Sequence, residues 1–524
     1  MIIKQKLVVI FLLICVCHPF SLSAQERNSS RPNVIFIYAD DEGRGMLGYE
    51  GQKIVKTPNI DFLAQNGLSF QHVYGCMYCA PARASLITGY ADIRKGKFIT
   101  NRAGIYMNYL EGRLTLDQVD ERINKVEANE NTGVVLPQVF KRAGYVTGEI
   151  GKLEYGFATS RKQMKDHEWD YYYGYLDHRM CHGFYPKVMF ENGNPVEIPG
   201  NLRVDAFVDS TAFKYGPVFP QFAQNLFMEK AKDFIITNRN KPFFLYFPTN
   251  LPHGPVSVPA IDPAFIHNDS LTWKQKMYAS MVKMIDDNVG TLMKLIDSLG
   301  LSKNTLIIYG ADNGHRLYYE GKREEFDNIT TAFRSADGGD LFNGNSSLAG
   351  LKTTNWEGGV RVPLVYYWPG GRVKKGAVSN QLISNYDLLN TMADLLHVKL
   401  PDQKDGISYV PALKGEKMKG HDYVIFSSML GPALVTKDGW KLRTYLSKEK
   451  NIFQLYYLPD DYGEEKDLSS KYPARVDSLK RILLKECNGN LDNGVYHFAK
   501  EPATELDDVK KEMRNKITIK AKNS

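Results

Sequence analysis

Three stretches of this chain are apolar without alternation and then stop at polar residues: "NVIFIYADD" (Asn33 to Asp41), "PFFLYFPT" (242–249) and "NTLIIYGADNG" (304–314). Unbroken apolar runs of this length predict strands buried on both faces, as in a parallel sheet covered by helices. Between the second and third, "SLTWKQKMYASMVKMIDDNVGTLMKLIDSLG" repeats its apolar positions at helical spacing and predicts one long amphipathic helix ending at Gly300. "TPNIDFLAQNG" predicts a shorter helix, with Thr57 as N-cap, Pro58 in the first turn and Gly67 as the stop. "GVVLPQVFKRAGY" followed by "VTGEIGK" reads as a further helix and strand. Strands alternating with long helices predict an α/β fold with a mostly parallel sheet, whose chemistry collects beyond the carboxyl ends of the strands. Asp40-Asp41 and Asp312-Asn313 end two of the apolar runs, so both pairs are expected at that rim.

From about Asp405 the pattern shortens. "YVIFSSM", "ALVTKDGWKLRTYL" with an Asp438-Gly439 turn, and "FQLYYL" predict short antiparallel strands, and "PARVDSLKRILLKEC" a helix after them. The expected organisation is a large α/β domain over 31–404 and a smaller α+β subdomain over 405–524, ending in the basic tail "VKKEMRNKITIKAKNS". Residues 1–24 have the layout of a secretory signal: Lys4 and Lys6, the apolar "LVVIFLLICVC", then small residues in "SLSA". That apolar run is shorter than the ~20 residues a membrane span needs. A periplasmic or secreted protein is expected, with no integral membrane segment once the signal is removed.

Composition changes this picture little. Hydrophobic residues at 43% and charged residues at 24% are those of a globular protein. The formal charge of +7 is a mild excess, which suits a polyanionic substrate and gives no reason to expect nucleic acid as a partner. Cys15 and Cys17 fall in the leader, leaving Cys76, Cys79, Cys181 and Cys487, too few for a disulfide scaffold. A Cys76–Cys181 bridge stays open.

"YGCMYCAPARASLITGY" (74–90) holds Cys76 and Cys79 at Cys-x-x-Cys spacing. Spacing alone allows a redox pair, half of a zinc site completed by Cys181-His182, or two unrelated thiols. The residues after Cys79 change the weighting. Cys79-Ala80-Pro81-Ala82-Arg83, with Thr88-Gly89 downstream, resembles the signature of the formylglycine-dependent sulfatases of the alkaline phosphatase superfamily. In that family a maturing enzyme oxidises the cysteine to an aldehyde. Further matches follow in family order: Gly151-Lys152, "PHGP" with His253, "ADNG" with Asp312 and Asn313, and "GLKTTNWEGGVRVPLV" with Lys352. They extend over nearly all of 31–490, through "QLYYLPDDYGEEKDL".

The resemblance implies an alkaline-phosphatase-like fold with 31–404 as the catalytic domain, and hydrolysis of a sulfate ester. A hydrated aldehyde carries two hydroxyls on one carbon, one to attack sulfur and one to lose a proton and expel sulfate. Cys79, once converted, would be the nucleophile. It would also join Asp40, Asp41, Asp312 and Asn313 as a ligand of a divalent cation, whose role is to acidify the nucleophile and bind sulfate oxygen. Oxygen ligands suit calcium first and magnesium second, whereas an isolated Asp-Asp pair at a strand end is ordinarily a helix cap or a solvated turn. Arg83 would support the modified residue, Lys152 and Lys352 would hold sulfate oxygens, and His253 would stand near the leaving oxygen.

One position departs from the family pattern. Where relatives read Gly-Lys-x-His-x-Gly, with the histidine taken as the base that releases sulfate, this chain has Glu154 in "GKLEYG". Glu154 is expected to accept a proton, to pair with Lys152, or to face a sugar hydroxyl. "GYLDHRMCHGFYPKVMFENGNPVEIPGN" (174–201) resembles a segment of sulfatases acting on carbohydrates, making His178, Arg179 and His182 substrate-binding candidates beside plain packing or exposure. His315 and Arg316, next to Asn313, are expected to reach the substrate. The implied partners are a sulfated mono- or oligosaccharide and a sulfatase-maturing enzyme. The alternatives are a phosphodiesterase or phosphonate hydrolase of the same superfamily, and a noncatalytic glycan-binding relative in which Cys79 stays a thiol.

Overall fold

The computed structural model describes residues 31–496 except 129, 202–220, 321–331, 335–337, 430 and 448–449. The expected signal segment and the basic tail lie outside the described residues. Among the described residues, ten strands form one sheet: β1 (Asn33–Ala39), β2 (Leu68–Tyr74), β3 (Val146–Lys152), β4 (Tyr171–Tyr175), β5 (Val188–Glu191), β6 (Asn194–Glu197), β7 (Phe243–Pro248), β8 (Thr305–Ala311), β9 (Leu364–Tyr367) and β10 (Ala377–Ser384). Their order across the sheet is β10-β2-β9-β8-β1-β7-β3-β4-β5-β6. The centre, β8-β1-β7-β3-β4, is parallel throughout. Strand β9 runs antiparallel between β2 and β8, and β5 and β6 close one edge as antiparallel strands.

The three apolar runs are β1, β7 and β8, and every residue in them is buried. Helices cover both faces, which is why these strands lack a polar alternation. The long helix spans Trp273–Ser298. Its start is fixed by a capping box, with Gln275 N–H donating to Thr272 Oγ1 and Thr272 N–H donating to Gln275 Oε1. It stops just before Gly300, whose φ of 67° is the left-handed turn a glycine takes without strain. The helix Pro58–Asn66 also lies where proline and glycine placed it. Thr57 uses its hydroxyl to donate to Asp61 Oδ1 at 2.9 Å rather than to cap the backbone.

A second, antiparallel sheet contains β11 (Tyr423–Phe426), β12 (Ala433–Thr436), β13 (Trp440–Ser447) and β14 (Lys450–Tyr457). The helix Pro473–Glu486 covers it, with Leu479 and Leu483 packed on Leu434, Leu442 and Leu455. This sheet begins later than Asp405, because Tyr409, Ala412 and Leu413 pack into the main core, where the Tyr409 and Tyr366 hydroxyls meet at 2.5 Å. Among the described residues no helix is long and apolar enough to cross a membrane.

The two sheets are joined by a buried ion cluster. Lys441 of β13 reaches Glu357 at 3.0 Å and Glu464 at 2.9 Å, all three side chains inaccessible to water. Tyr74 at the end of β2 donates to the other oxygen of Glu357 at 2.8 Å and stacks on Phe426 of β11. Buried carboxylates are tolerated only while their counter-charge stays in place. Lys441→Ala is therefore expected to lower the unfolding free energy by about 3–5 kcal/mol in equilibrium denaturation. A loss below about 1 kcal/mol, the value of a solvated pair, would contradict a structural role for this joint.

Candidate active site

Strands β1 and β8 are parallel neighbours, with Ala39 opposite Ala311. The next residue on each strand is an aspartate, so the register itself brings Asp40 and Asp312 together, both without solvent exposure. Asp312 Oδ1 accepts from the backbone N–H groups of Asp41 and Asn313, each at 2.9 Å. The Asn313 side-chain amide donates to Asp41 Oδ1 at 2.8 Å. Asp41 itself sits at φ 65°, a left-handed conformation that aspartate tolerates better than most residues. Asp40 N–H donates to Leu251 O at 2.9 Å, tying the loop that carries His253 to the same rim.

Cys79 opens the helix Cys79–Thr88, and the segment before it crosses the rim. Cys76 N–H donates to Asp312 O at 3.4 Å, and Thr353 N–H, next to Lys352, donates to Met77 O at 2.9 Å. A side chain on Gly75 would place its Cβ 2.2 Å from Asp312 O, so this crossing requires glycine. One ligand atom each from Asp40, Cys79 and Asp312 lie within 4.8 Å of one another.

Three buried cations face three buried carboxylates. Lys152, at the end of β3, donates to Asp40 Oδ2 at 2.7 Å. Arg83, one turn into the Cys79 helix, donates to Asp312 Oδ2 at 3.1 Å and stands 3.8 Å from Asp40 Oδ1. Lys352 donates to Asp41 Oδ2 at 2.6 Å and lies 3.2 Å from His253 Nε2. Tyr318 OH also donates to Asp41. The chain has 31 tyrosines, and no feature of the sequence singles this one out.

Burial pushes the Asp40 carboxyl up, but Lys152, with His253, Arg83 and Lys352, outweighs it and holds the group well below the usual range. Lys352 likewise holds Asp41 low against burial. Asp312 goes the other way: burial and the Asp40 charge push it up to about 7 in spite of Arg83. Like charges at one buried site cannot all ionise cheaply, and a divalent cation is what would let them. Asp40 Oδ1 and Asn313 Oδ1 are also buried without a hydrogen-bond partner. Unpaired buried oxygens, and a carboxyl raised to about 7 even with Arg83 beside it, fit a hard cation.

Burial and the Lys352 charge lower His253 to about 4, so its imidazole is neutral near pH 7. Its Nδ1–H donates to Gly254 O at 2.5 Å, which leaves Nε2 as the acceptor facing Lys352. Burial raises the Cys79 thiol, against the opposing pull of Lys152 and Lys352.

Other expected residues fall elsewhere. Cys76 and Cys181 are free thiols, not a bridge: Cys76 lies 3.6 Å from Ser85 Oγ, and Cys181 donates to Asp177 O at 3.4 Å. Glu154 does not pair with Lys152 and is fully buried. With φ 57° it turns behind the rim, where Oε1 meets His167 Nδ1 at 2.9 Å and accepts from the Trp169 indole. His315 is fully buried and spends both ring nitrogens on tyrosines, Tyr278 at 2.9 Å and Tyr319 at 3.1 Å, so it is a core histidine rather than a substrate contact. His178 is 2% exposed and points its Nδ1 at Cys79 Sγ, 3.8 Å away, instead of presenting a free face to a sugar. His182 is half-buried and stacks on the His253 ring at 4.3 Å, Arg179 is exposed, and Arg316 is half-buried.

Comparison with known proteins bears on the family and the fold. The family model described as Sulfatase matches residues 32–398, and that described as N-sulphoglucosamine sulphohydrolase, C-terminal, matches 352–490. The chain is 30% identical to the N-acetylgalactosamine-6-sulfatase of Mus musculus over 397 residues, 74% of this chain and 67% of that one. It is 24% identical to the N-acetylgalactosamine-6-O-sulfatase of Bacteroides thetaiotaomicron, covering 87% of this chain and 93% of that one. Among solved structures, Ps i-CgsB in complex with k-i-k-neocarrahexaose has a TM-score of 0.66 at 24% identity, covering 91% of this chain and 96% of that one. The phosphonate monoester hydrolase of Agrobacterium radiobacter has a TM-score of 0.52 at 18% identity, covering 87% and 95%. Both structural likenesses are likenesses of fold.

Behind the rim, Glu130 accepts from Tyr155 OH at 2.9 Å, and burial pushes its carboxyl up to about 7. The unfolded chain releases this proton near pH 4.3, so the stabilisation from Glu130 is complete below that pH and lost as pH rises through about 7. Glu130→Gln is expected to flatten the fall in unfolding free energy between pH 5 and 8, measured by denaturant titration at each pH. An unchanged slope would show that Glu130 is already ionised in the fold.

Proposed function

The chain belongs to the sulfatase family of sulfuric ester hydrolases, and we propose from that premise that it is an exported enzyme releasing sulfate from a sulfated carbohydrate. The observation that carries the reading is the convergence of Asp40, Asp312 and Cys79 within 4.8 Å, ringed by Arg83, Lys152 and Lys352. The carbohydrate substrate is supported by the N-acetylgalactosamine sulfatases among its relatives. The leader-like residues 1–24 support export to the periplasm or the exterior.

Family members generally use a formylglycine and a divalent metal. In this chain Asp40, Asp41, Asp312, Asn313 and converted Cys79 are the proposed ligands, with calcium favoured by their oxygen donors and magnesium second. The cation supplies charge that acidifies the nucleophile and polarises the sulfate. Conversion of Cys79 by a sulfatase-maturing enzyme supplies the attacking oxygen. Arg83 holds its guanidinium against Asp312 and fixes the start of the Cys79 helix relative to the rim. Lys152 and Lys352 offset the negative charge that builds on the sulfate oxygens. Because the neutral His253 accepts from Lys352, the proton for the departing alkoxide is held on Lys352, and His253 orients it.

The fold likeness to a phosphonate monoester hydrolase supports a second reading, in which phosphorus replaces sulfur. Matched aryl sulfate and aryl phosphate esters separate the two: faster sulfate release is expected, and faster phosphate release would favour the alternative. In protein matured with its modifying enzyme, the peptide holding residue 79 should lose a sulfur and two hydrogens and gain an oxygen. A plain thiol there would remove the proposed nucleophile. Cys79→Ala is expected to lower turnover by about 10⁴-fold or more, and retained activity would contradict the assignment.

A further inference from the structure

The sulfate-releasing half of such a reaction needs a base beside residue 79, and Glu154, at the position where a histidine was expected, faces away from it. His178 does not. It follows β4, the parallel neighbour of β3, and Lys152 is in register with Tyr175, so the residues after β4 arrive at the rim beside Lys152. Its backbone is pinned there: Asp177 accepts from Gly104, Tyr106 and Arg179 N–H groups, at 2.8–3.0 Å, and His178 N–H donates to Phe157 O at 2.8 Å. The ring packs edge-on to Phe157. Nδ1 lies 3.8 Å from Cys79 Sγ, and Nε2 is buried without a hydrogen-bond partner among the described residues.

A buried imidazole whose one hydrogen-bonding contact among the described residues is residue 79 makes a poor structural element, because leaving such a group unsatisfied is costly. It differs in this from His315, whose two nitrogens are both bonded to tyrosines. The Sγ marks where an oxygen of the converted residue sits, since conversion replaces this sulfur with oxygen.

We propose that His178 is the catalytic base that expels sulfate, taking the part that Glu154 cannot take. The inference rests on the formylglycine reading above. In the step, the remaining hydroxyl on the carbon of residue 79 gives its proton to His178. The O–H electron pair becomes the second bond of the carbonyl, and the C–O bond to sulfate breaks with its pair leaving on sulfate. The aldehyde then takes up water, so no oxidant or reductant is consumed.

The experiment uses the full-length matured enzyme, with the aldehyde at residue 79 verified by mass, and an aryl sulfate as probe. His178→Ala and the bulkier His178→Gln should each show a rapid, stoichiometric burst of aryl alcohol, then turnover slowed by about 10²–10⁴-fold. The residue-79 peptide, quenched during that slow phase, should carry one sulfuryl group. The parent enzyme and Glu154→Gln should show neither burst nor sulfated peptide. If both His178 variants fold by circular dichroism and slow alcohol and sulfate release equally, with no sulfated peptide, the proposal is overturned. If the matured parent releases no alcohol at all, it is the sulfatase reading that fails, and the two failures are thereby distinguished.

Discussion

The pairing of β1 with β8 forces two carboxylates into one water-free space. With Ala39 opposite Ala311, Asp40 and Asp312 have nowhere else to go, and Asp41 follows them. Three buried negative charges at a strand rim cost several kcal/mol each unless compensated. Most of what surrounds the rim is that compensation: Arg83 from the Cys79 helix, Lys152 from the end of β3, and Lys352 from the loop that also binds the backbone of Met77. Asp312 nevertheless remains high, at about 7, and two oxygens remain unpaired. The protein's own cations leave Asp312 raised and two oxygens without donors, the deficit that the proposed cation would supply.

The same balance divides the labour among the cations. Lys152 and Arg83 are held by Asp40 and Asp312, whereas Lys352 sits between Asp41 and the neutral His253, whose ring stacks on the half-buried His182. A fixed positive charge suits the binding of sulfate oxygens; an ammonium proton oriented by a neutral imidazole suits delivery to a leaving group. The second sheet contributes from behind, where Lys441 neutralises Glu357 in the segment that leads from Lys352 back into β9.

Much of this was legible in the residues. The apolar runs are the central strands, because a parallel sheet covered on both faces permits no alternation. The Cys-x-Pro-x-Arg run and the two acidic strand ends located the rim without coordinates. What failed depended on the direction of single side chains. Glu154 turns behind the sheet through a left-handed backbone, and nothing in "GKLEYG" announces that turn. His315 was placed by its position two residues after the expected ligand Asn313, yet the tyrosines that enclose it arrive from a helix and a loop. His178 meets Cys79 only because β3 and β4 pair in a given register.

The most direct measurement is a crystal structure of the matured protein grown with calcium, with the cation identified from anomalous scattering. A single ion coordinated by oxygens of Asp40, Asp41, Asp312, Asn313 and residue 79, at about 2.3–2.6 Å, with Asp312 ionised beside it, is the result this account predicts. A rim held by Arg83 and the lysines alone, binding no ion at saturating calcium or magnesium, would contradict it.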